Sequence, residues 1–216
     1  GHEARQMPVT QVADVLYAHA CHEMRLPCAE RGTGCVTGAM ASRFFRLGDD
    51  AYCAKYNGLL GGLRASQLAM FPLLKEIVER LQAASSGGGE RLVLLSGHDT
   101  VIAQLLAALG GMTDARHCRW PPYASRCVVE LWRPVSSSGL RHGPQLRVLF
   151  DGVVVTHLIP ECAQRADGID ATTITQVGVT NLELCPLETF VKGVLGRIPP
   201  GSTFEAECRA DQGQAL

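Results

Sequence analysis

The feature that most constrains this chain is the stretch RLVLLSGHDTVIAQLLAALGG at residues 91–111. Its apolar run LVLL breaks at Ser96-Gly97, and His98 and Asp99 come next. A second apolar stretch with helical spacing follows and closes on Gly110-Gly111. A short, wholly apolar run reads as a strand buried in a parallel sheet, and a glycine pair after a periodic segment reads as a helix end. The corner between them sets Ser96, His98, Asp99 and Thr100 at the carboxyl edge of a sheet, where open α/β folds hold their ligands. The first amides of a helix lack backbone acceptors and, with the helix dipole, favour an anion. An imidazole there can donate to a phosphate oxygen. A carboxylic acid beside it can hand a proton to a leaving oxygen. The plainer alternative is that Asp99 or Ser96 only caps the helix.

The remaining elements divide the chain into two portions. Residues 9–24 carry Val12, Val15, Leu16 and Ala20 at a helical period, with Thr10 as a cap and Pro27 as a stop. Residues 38–56 and 64–83 read as two further helices, and Pro72 inside the second predicts a kink or a restart. Residues 126–132 and 145–150 read as strands around the polar loop SSSGLRHG, and Asp151-Gly152 turns the chain into a third strand, VVVTHL. Pro186 suits the first position of a closing helix. Residues 1–90 are thus expected to be a helical portion, with cap-like helices and one core helix. Residues 91–216 are expected to form an α/β core that carries the His-Asp pair.

Charge and cysteine content narrow the function classes. With 46% hydrophobic residues and a net charge of −1, the chain has enough apolar content for a core and lacks the basic face that nucleic acid demands. No apolar run approaches the length of a transmembrane helix. The chain opens GHEARQ, without an initiator Met, which reads as a fragment of a longer protein or a processed product. Nine cysteines, scattered along the sequence, fit disulfides formed in an oxidising compartment. Cys28 and Cys35 bracket one loop and form a natural pair. His19, Cys21, His22 and Cys28 lack metal-ligand spacing and read as ordinary helix residues; no metal is expected. Tyr56, Trp120 and Tyr123 suit either a sugar site or plain packing.

The ordered series of motifs resembles the histidine acid phosphatases, the larger-domain branch of the histidine phosphatase superfamily. In that family an apolar strand ends in S-[GA]-H-D-x-T or a close variant and leads into a helix running to L-L-x-A-L-G. Here the match is Ser96-Gly97-His98-Asp99-Thr100 and then Leu105-Leu106-Ala107-Ala108-Leu109-Gly110. Pro121-Pro122-Tyr123-Ala124-Ser125 and Glu130-Leu131-Trp132 match two further family segments. The resemblance implies the C-terminal part of an α/β histidine-phosphatase fold, a mixed and mostly parallel sheet with flanking helices. It also implies a phosphomonoester substrate and no cofactor. It makes His98 a donor in the phosphate pocket, Asp99 the general acid and Cys162–Cys185 a disulfide. The closing segment Cys185-Pro186-Leu187-Glu188, with Cys162 before it and Cys208 after it, resembles family members that remove phosphate from xylose in the glycosaminoglycan–protein linkage region. Those members imply the secretory pathway, with the Golgi lumen or secretion as the address.

The family's nucleophile is a His in an R-H-G-x-R-x-P motif that precedes the His-Asp pair. Arg141-His142-Gly143 follows the pair instead, lacks the second arginine and the proline, and reads as a hairpin loop. The expectation is therefore an acid and a pocket His without nucleophile or arginine clamp, and little phosphatase activity from these residues alone. The alternative is a noncatalytic phosphosugar- or glycan-binding domain on the same fold, and the sequence upstream of Gly1 separates the two. A metal-dependent His-Asp phosphohydrolase fits poorly, because such enzymes carry the pair on helices.

Overall fold

The computed structural model of the chain describes residues 7–29, 34–56, 62–133, 143–163 and 184–212. Three helices lead: α1 (Val9–Cys21), α2 (Gly38–Tyr56) and α3 (Gly62–Ser85). Pro8 precedes α1, and its carbonyl accepts from the amides of Gln11 (3.0 Å) and Val12 (3.1 Å). Thr10 accordingly lies inside the first turn instead of capping it. Thr37 caps α2, its hydroxyl accepting from the Met40 amide at 3.2 Å. Pro72 lies inside α3, which runs on as one helix with Leu68, Met70, Leu74, Val78 and Leu81 buried along it. A proline there forfeits one helical hydrogen bond, and the apolar face on both sides of it offsets the loss.

α4 (Asp99–Ala108) ends at Gly110, whose φ of 90° is left-handed. A Cβ on Gly110 would lie 2.6 Å from the Leu158 carbonyl oxygen and 2.9 Å from Pro160 Cδ, so only glycine fits this turn. The sheet follows: β1 (Cys127–Trp132), β2 (Gln145–Phe150), β3 (Val153–Val154) and β4 (Cys185–Pro186). β2 pairs with each of the other three, and every pairing is antiparallel. Leu146, Val148 and Phe150 alternate along β2 into the core. They share one core with Leu74 and Val78 of α3, Ala103 and Leu106 of α4, and Phe190 and Val194 of the closing helix α6 (Leu187–Leu195). The short α5 (Pro160–Ala163) and the final α7 (Phe204–Gln212) complete the described elements.

The α/β character is as the sequence implies, but the sheet differs from the expected one. No parallel pairing occurs among the described residues. Residues 91–95 are not a strand: they form no ladder, and Leu92 and Leu94 are 84% and 91% exposed. An apolar run becomes a buried parallel strand only with a strand on each edge and a layer on each face, and none of the described strands lies beside this one. The expected strand at 153–158 is cut short as well, giving β3 and then a 3₁₀ turn at Thr156–Leu158. There the buried Thr156 hydroxyl accepts from the Val148 amide at 2.9 Å.

Three disulfides brace the chain: Cys28–Cys35, Cys53–Cys118 and Cys162–Cys185. The first and third are the expected pairs. Cys53–Cys118 ties α2 to the loop after α4, across 65 residues of sequence. Among the described residues no helix is long and apolar enough to cross a membrane.

Candidate active site

His98 and Asp99 stand at the start of α4, as the corner motif requires, and their surroundings differ. His98 is exposed and supplies the residue before the helix; its ring makes no capping bond. The His98 carbonyl accepts from the amides of Val101 and Ile102, each at 3.0 Å. The Thr100 amide donates to Asp99 Oδ1 at 2.7 Å. The helix start therefore satisfies most of its own donors, and fewer amides are open to an anion than the bare motif suggests.

Asp99 is half-buried, and its carboxylate turns away from the helix axis toward two aromatic residues. Trp120 Nε1 donates to Oδ2 at 2.7 Å, and the Tyr52 hydroxyl donates to the same oxygen at 3.2 Å. Tyr52 comes from α2 and Trp120 from the loop after α4. Their rings stack with centroids 4.5 Å apart and planes 19° apart. Tyr17 of α1 meets Trp120 edge-on at 5.9 Å and stacks on Phe45 at 4.1 Å. The Trp120 amide donates to Asp49 Oδ1 at 3.2 Å, and a Cβ at Gly48 would touch the indole at an ordinary 3.5 Å and crowd Ala13 Cβ at 3.1 Å. Cys53 directly follows Tyr52 and Cys118 lies two residues before Trp120, so one disulfide fixes both donors.

Burial and charge act together on this cluster. The Tyr52 phenol is pushed far above the usual range, first by burial and then by the Asp99 carboxylate, so it is a donor at every accessible pH. Burial also raises Asp49, against the lowering effect of the Trp120 amide bond. Tyr123 donates to Asp14 Oδ1 at 3.3 Å, and burial and then the Asp14 charge raise its phenol.

Some sequence candidates join this cluster and others do not. Trp120 and Tyr123 lie near Asp99, whereas Tyr56 is buried in the core beside Tyr52. His19 is bound to the Arg25 carbonyl at 2.6 Å. Arg141 and His142 lie outside the described residues. Tyr52 and Asp49 escape the sequence reading altogether; α2 brings them in from 47 to 71 residues away from their partners.

The span that builds this cluster is also the span that matches a known family. The model of the histidine phosphatase superfamily, branch 2, matches residues 46–151, from the middle of α2 through β2. Residues 46–151 thus carry the histidine phosphatase pattern. The chain is 26% identical to 2-phosphoxylose phosphatase 1 of Homo sapiens over 191 residues, covering 88% of this chain and 35% of that protein. The Xenopus tropicalis 2-phosphoxylose phosphatase 1 is 27% identical over 88% of this chain and 34% of its own length. Counting factor 60 of Dictyostelium discoideum is 27% identical over 57% of this chain and 26% of that protein. The chain thus spans about a third of the length of the 2-phosphoxylose phosphatases it matches. No solved structure gives a significant match to this chain.

Proposed function

We propose that the chain is the acid-bearing portion of a phosphomonoesterase of the histidine acid phosphatase type, with Asp99 as general acid and His98 as a donor to the phosphoryl group. The observation that carries this reading is the half-buried Asp99 carboxylate at the His98–Asp99 helix start, held at Oδ2 by Trp120 and Tyr52. In the proposed step an imidazole nucleophile attacks phosphorus. The phosphorus–oxygen ester bond breaks with its electron pair going to the leaving oxygen, and the Asp99 proton moves to that oxygen to release a neutral alcohol. The nucleophile and an arginine clamp come, on this reading, from sequence outside these 216 residues. The share of the relatives' length that the chain covers supports that division, and so do the bare aliphatic residues 92–95, which have no sheet neighbours among the described residues. The proposed substrate is phosphorylated xylose of the glycosaminoglycan–protein linkage region, by likeness to the 2-phosphoxylose phosphatases. The proposed compartment is the secretory pathway, with the Golgi lumen or secretion as the address, and three disulfides favour an oxidising setting.

The test is the leaving-group dependence of Asp99→Ala in the intact phosphatase. Esters of sugar alcohols should slow by about a hundredfold or more, because general acid catalysis is worth that much. Aryl phosphates with good leaving groups should slow far less. Equal losses on both remove Asp99 from the acid role. The 216 residues alone should show no turnover of an aryl phosphate, and robust turnover would overturn the division of labour.

A further inference from the structure

We infer that Tyr52 and Trp120 are positioning residues that reserve one oxygen of Asp99 for the acidic proton, and that the Cys53–Cys118 disulfide holds both of them in place; this rests on the phosphatase reading above. A carboxylate offers about four lone-pair directions, two on each oxygen. Oδ2 uses both of its own, on the Trp120 indole N–H at 2.7 Å and the Tyr52 hydroxyl at 3.2 Å. Oδ1 uses one, on the Thr100 amide at 2.7 Å. The open direction is therefore on Oδ1.

The chemistry of the two donors makes this asymmetry firm. An indole N–H can only donate, so a proton on Oδ2 in its place would break the shorter of the two bonds to that oxygen. The Tyr52 hydroxyl could rotate and accept, but only by surrendering its own bond to Oδ2. A proton on Oδ1 disturbs neither. Both donors are neutral, and among the described residues Asp99 makes no ion pair. A guanidinium in their place would oppose protonation by its charge. Trp120 and Tyr52 orient the carboxylate without adding one.

The scaffold leaves the donors little freedom. They stack on one another, Trp120 is wedged by Tyr17 and anchored by Asp49, and Cys53–Cys118 joins their two segments next to both side chains. The charged or titratable groups around the indole are Asp99 and Tyr52 on its nitrogen side, Asp49 at its backbone, Arg119 beside it in sequence, and Tyr17 and Tyr123 with its partner Asp14 on the α1 side.

The first experiment reads the clamp without activity. The chain has two tryptophans, so a ¹⁵N-labelled sample gives two indole N–H resonances. The Trp120 resonance should shift in Asp99→Asn, which changes the acceptor of its indole N–H, and stay in place in Asp49→Asn. Reduction of the disulfide should shift the Trp120 resonance toward that of a free indole. An indole that ignores Asp99→Asn overturns the clamp. The second experiment uses the intact phosphatase with Tyr52→Phe and Trp120→Phe, which keep an aromatic ring in the stack. Each should lower kcat for a sugar phosphate by about tenfold, the worth of one hydrogen bond to a charged group, with KM unchanged. Each should also move the acid limb of the pH profile, while turnover of an aryl phosphate with a good leaving group stays near wild type. Uniform losses across leaving groups with an unmoved pH profile overturn the positioning role. If Asp99→Asn discriminates leaving groups and these two variants do not, only the clamp fails. If Asp99→Asn does not discriminate, the phosphatase reading fails, and the indole resonance still decides the geometry.

Discussion

Two carboxylates in this molecule accept an indole N–H, and the rest of their surroundings differ. Glu130 on β1 accepts from Trp132 Nε1 at 3.0 Å and from Arg147 Nε across the ladder at 2.8 Å, and Arg147 also lies 5.1 Å from the Trp132 ring centre. Asp99 at the α2–α4 junction accepts from Trp120 Nε1 and from a phenol, and pairs with no cation among the described residues. Burial raises Glu130, but the bonds from Arg147 and Trp132 outweigh it and hold the group below the usual glutamate range. Glu130 is built to stay charged, and its work is to fix strand register. Asp99 is held in orientation by neutral donors, where Glu130 is held by a guanidinium.

The largest expected effect separates the two regions through their covalent support. Replacing Cys53 and Cys118 by serine opens a loop of 65 residues, which loop-closure entropy sets at about 4 kcal/mol. The melting temperature should fall by roughly 10 °C. The Trp120 indole resonance should shift with it, while that of Trp132 stays in place. Loss at both tryptophans would mean that the disulfide supports the whole fold rather than one site. Opening Cys28–Cys35, seven residues apart, should cost distinctly less, because a shorter loop restrains the unfolded chain less.

Arg147→Met should come next, at about 1–2 kcal/mol, since it leaves a half-buried Glu130 without its cation and removes the contact with Trp132. Chemical denaturation measures it, and phosphatase activity of the intact protein should not change. An activity loss that tracks leaving group would join the two regions and break the contrast.

The smallest effects are pH slopes. His117, on the loop between the regions and edge-on to Phe150 at 5.7 Å, is lowered by burial. Its folded value lies below its unfolded one near 6.5, so the unfolded chain binds the extra proton and stability declines as pH falls through that window. His117→Gln should flatten the thermal midpoint between pH 7 and the acidic side. Glu130 is also depressed, so its contribution is present above the unfolded glutamate value of about 4.3 and is lost as pH falls through the folded value. Arg147→Met should remove that lower slope and leave the His117 slope alone.

Legibility followed the range of the interactions. α1 was readable because Val12, Val15, Leu16 and Ala20 repeat at a helical period, which reports on a single segment's own face. The His98–Asp99 helix start was readable because strand-like run, corner and glycine end are consecutive. Residues 91–95 misled for a related reason: apolarity says what a segment would bury, not which neighbours are there to cover it. Tyr52 was invisible because a tyrosine inside an amphipathic helix looks like core, and only the 47-residue return to Asp99 shows its hydroxyl at work. Cys53–Cys118 was hidden among the many pairings that nine cysteines permit.

The naked leucines at 92 and 94 also govern how the chain behaves in a tube. Peptide groups without ladder partners beside aliphatic side chains are adhesive, and the adhesion grows with concentration. Light scattering on a dilution series should show clusters at high protein concentration, and Leu94→Lys should disperse them with the Trp120 resonance unmoved.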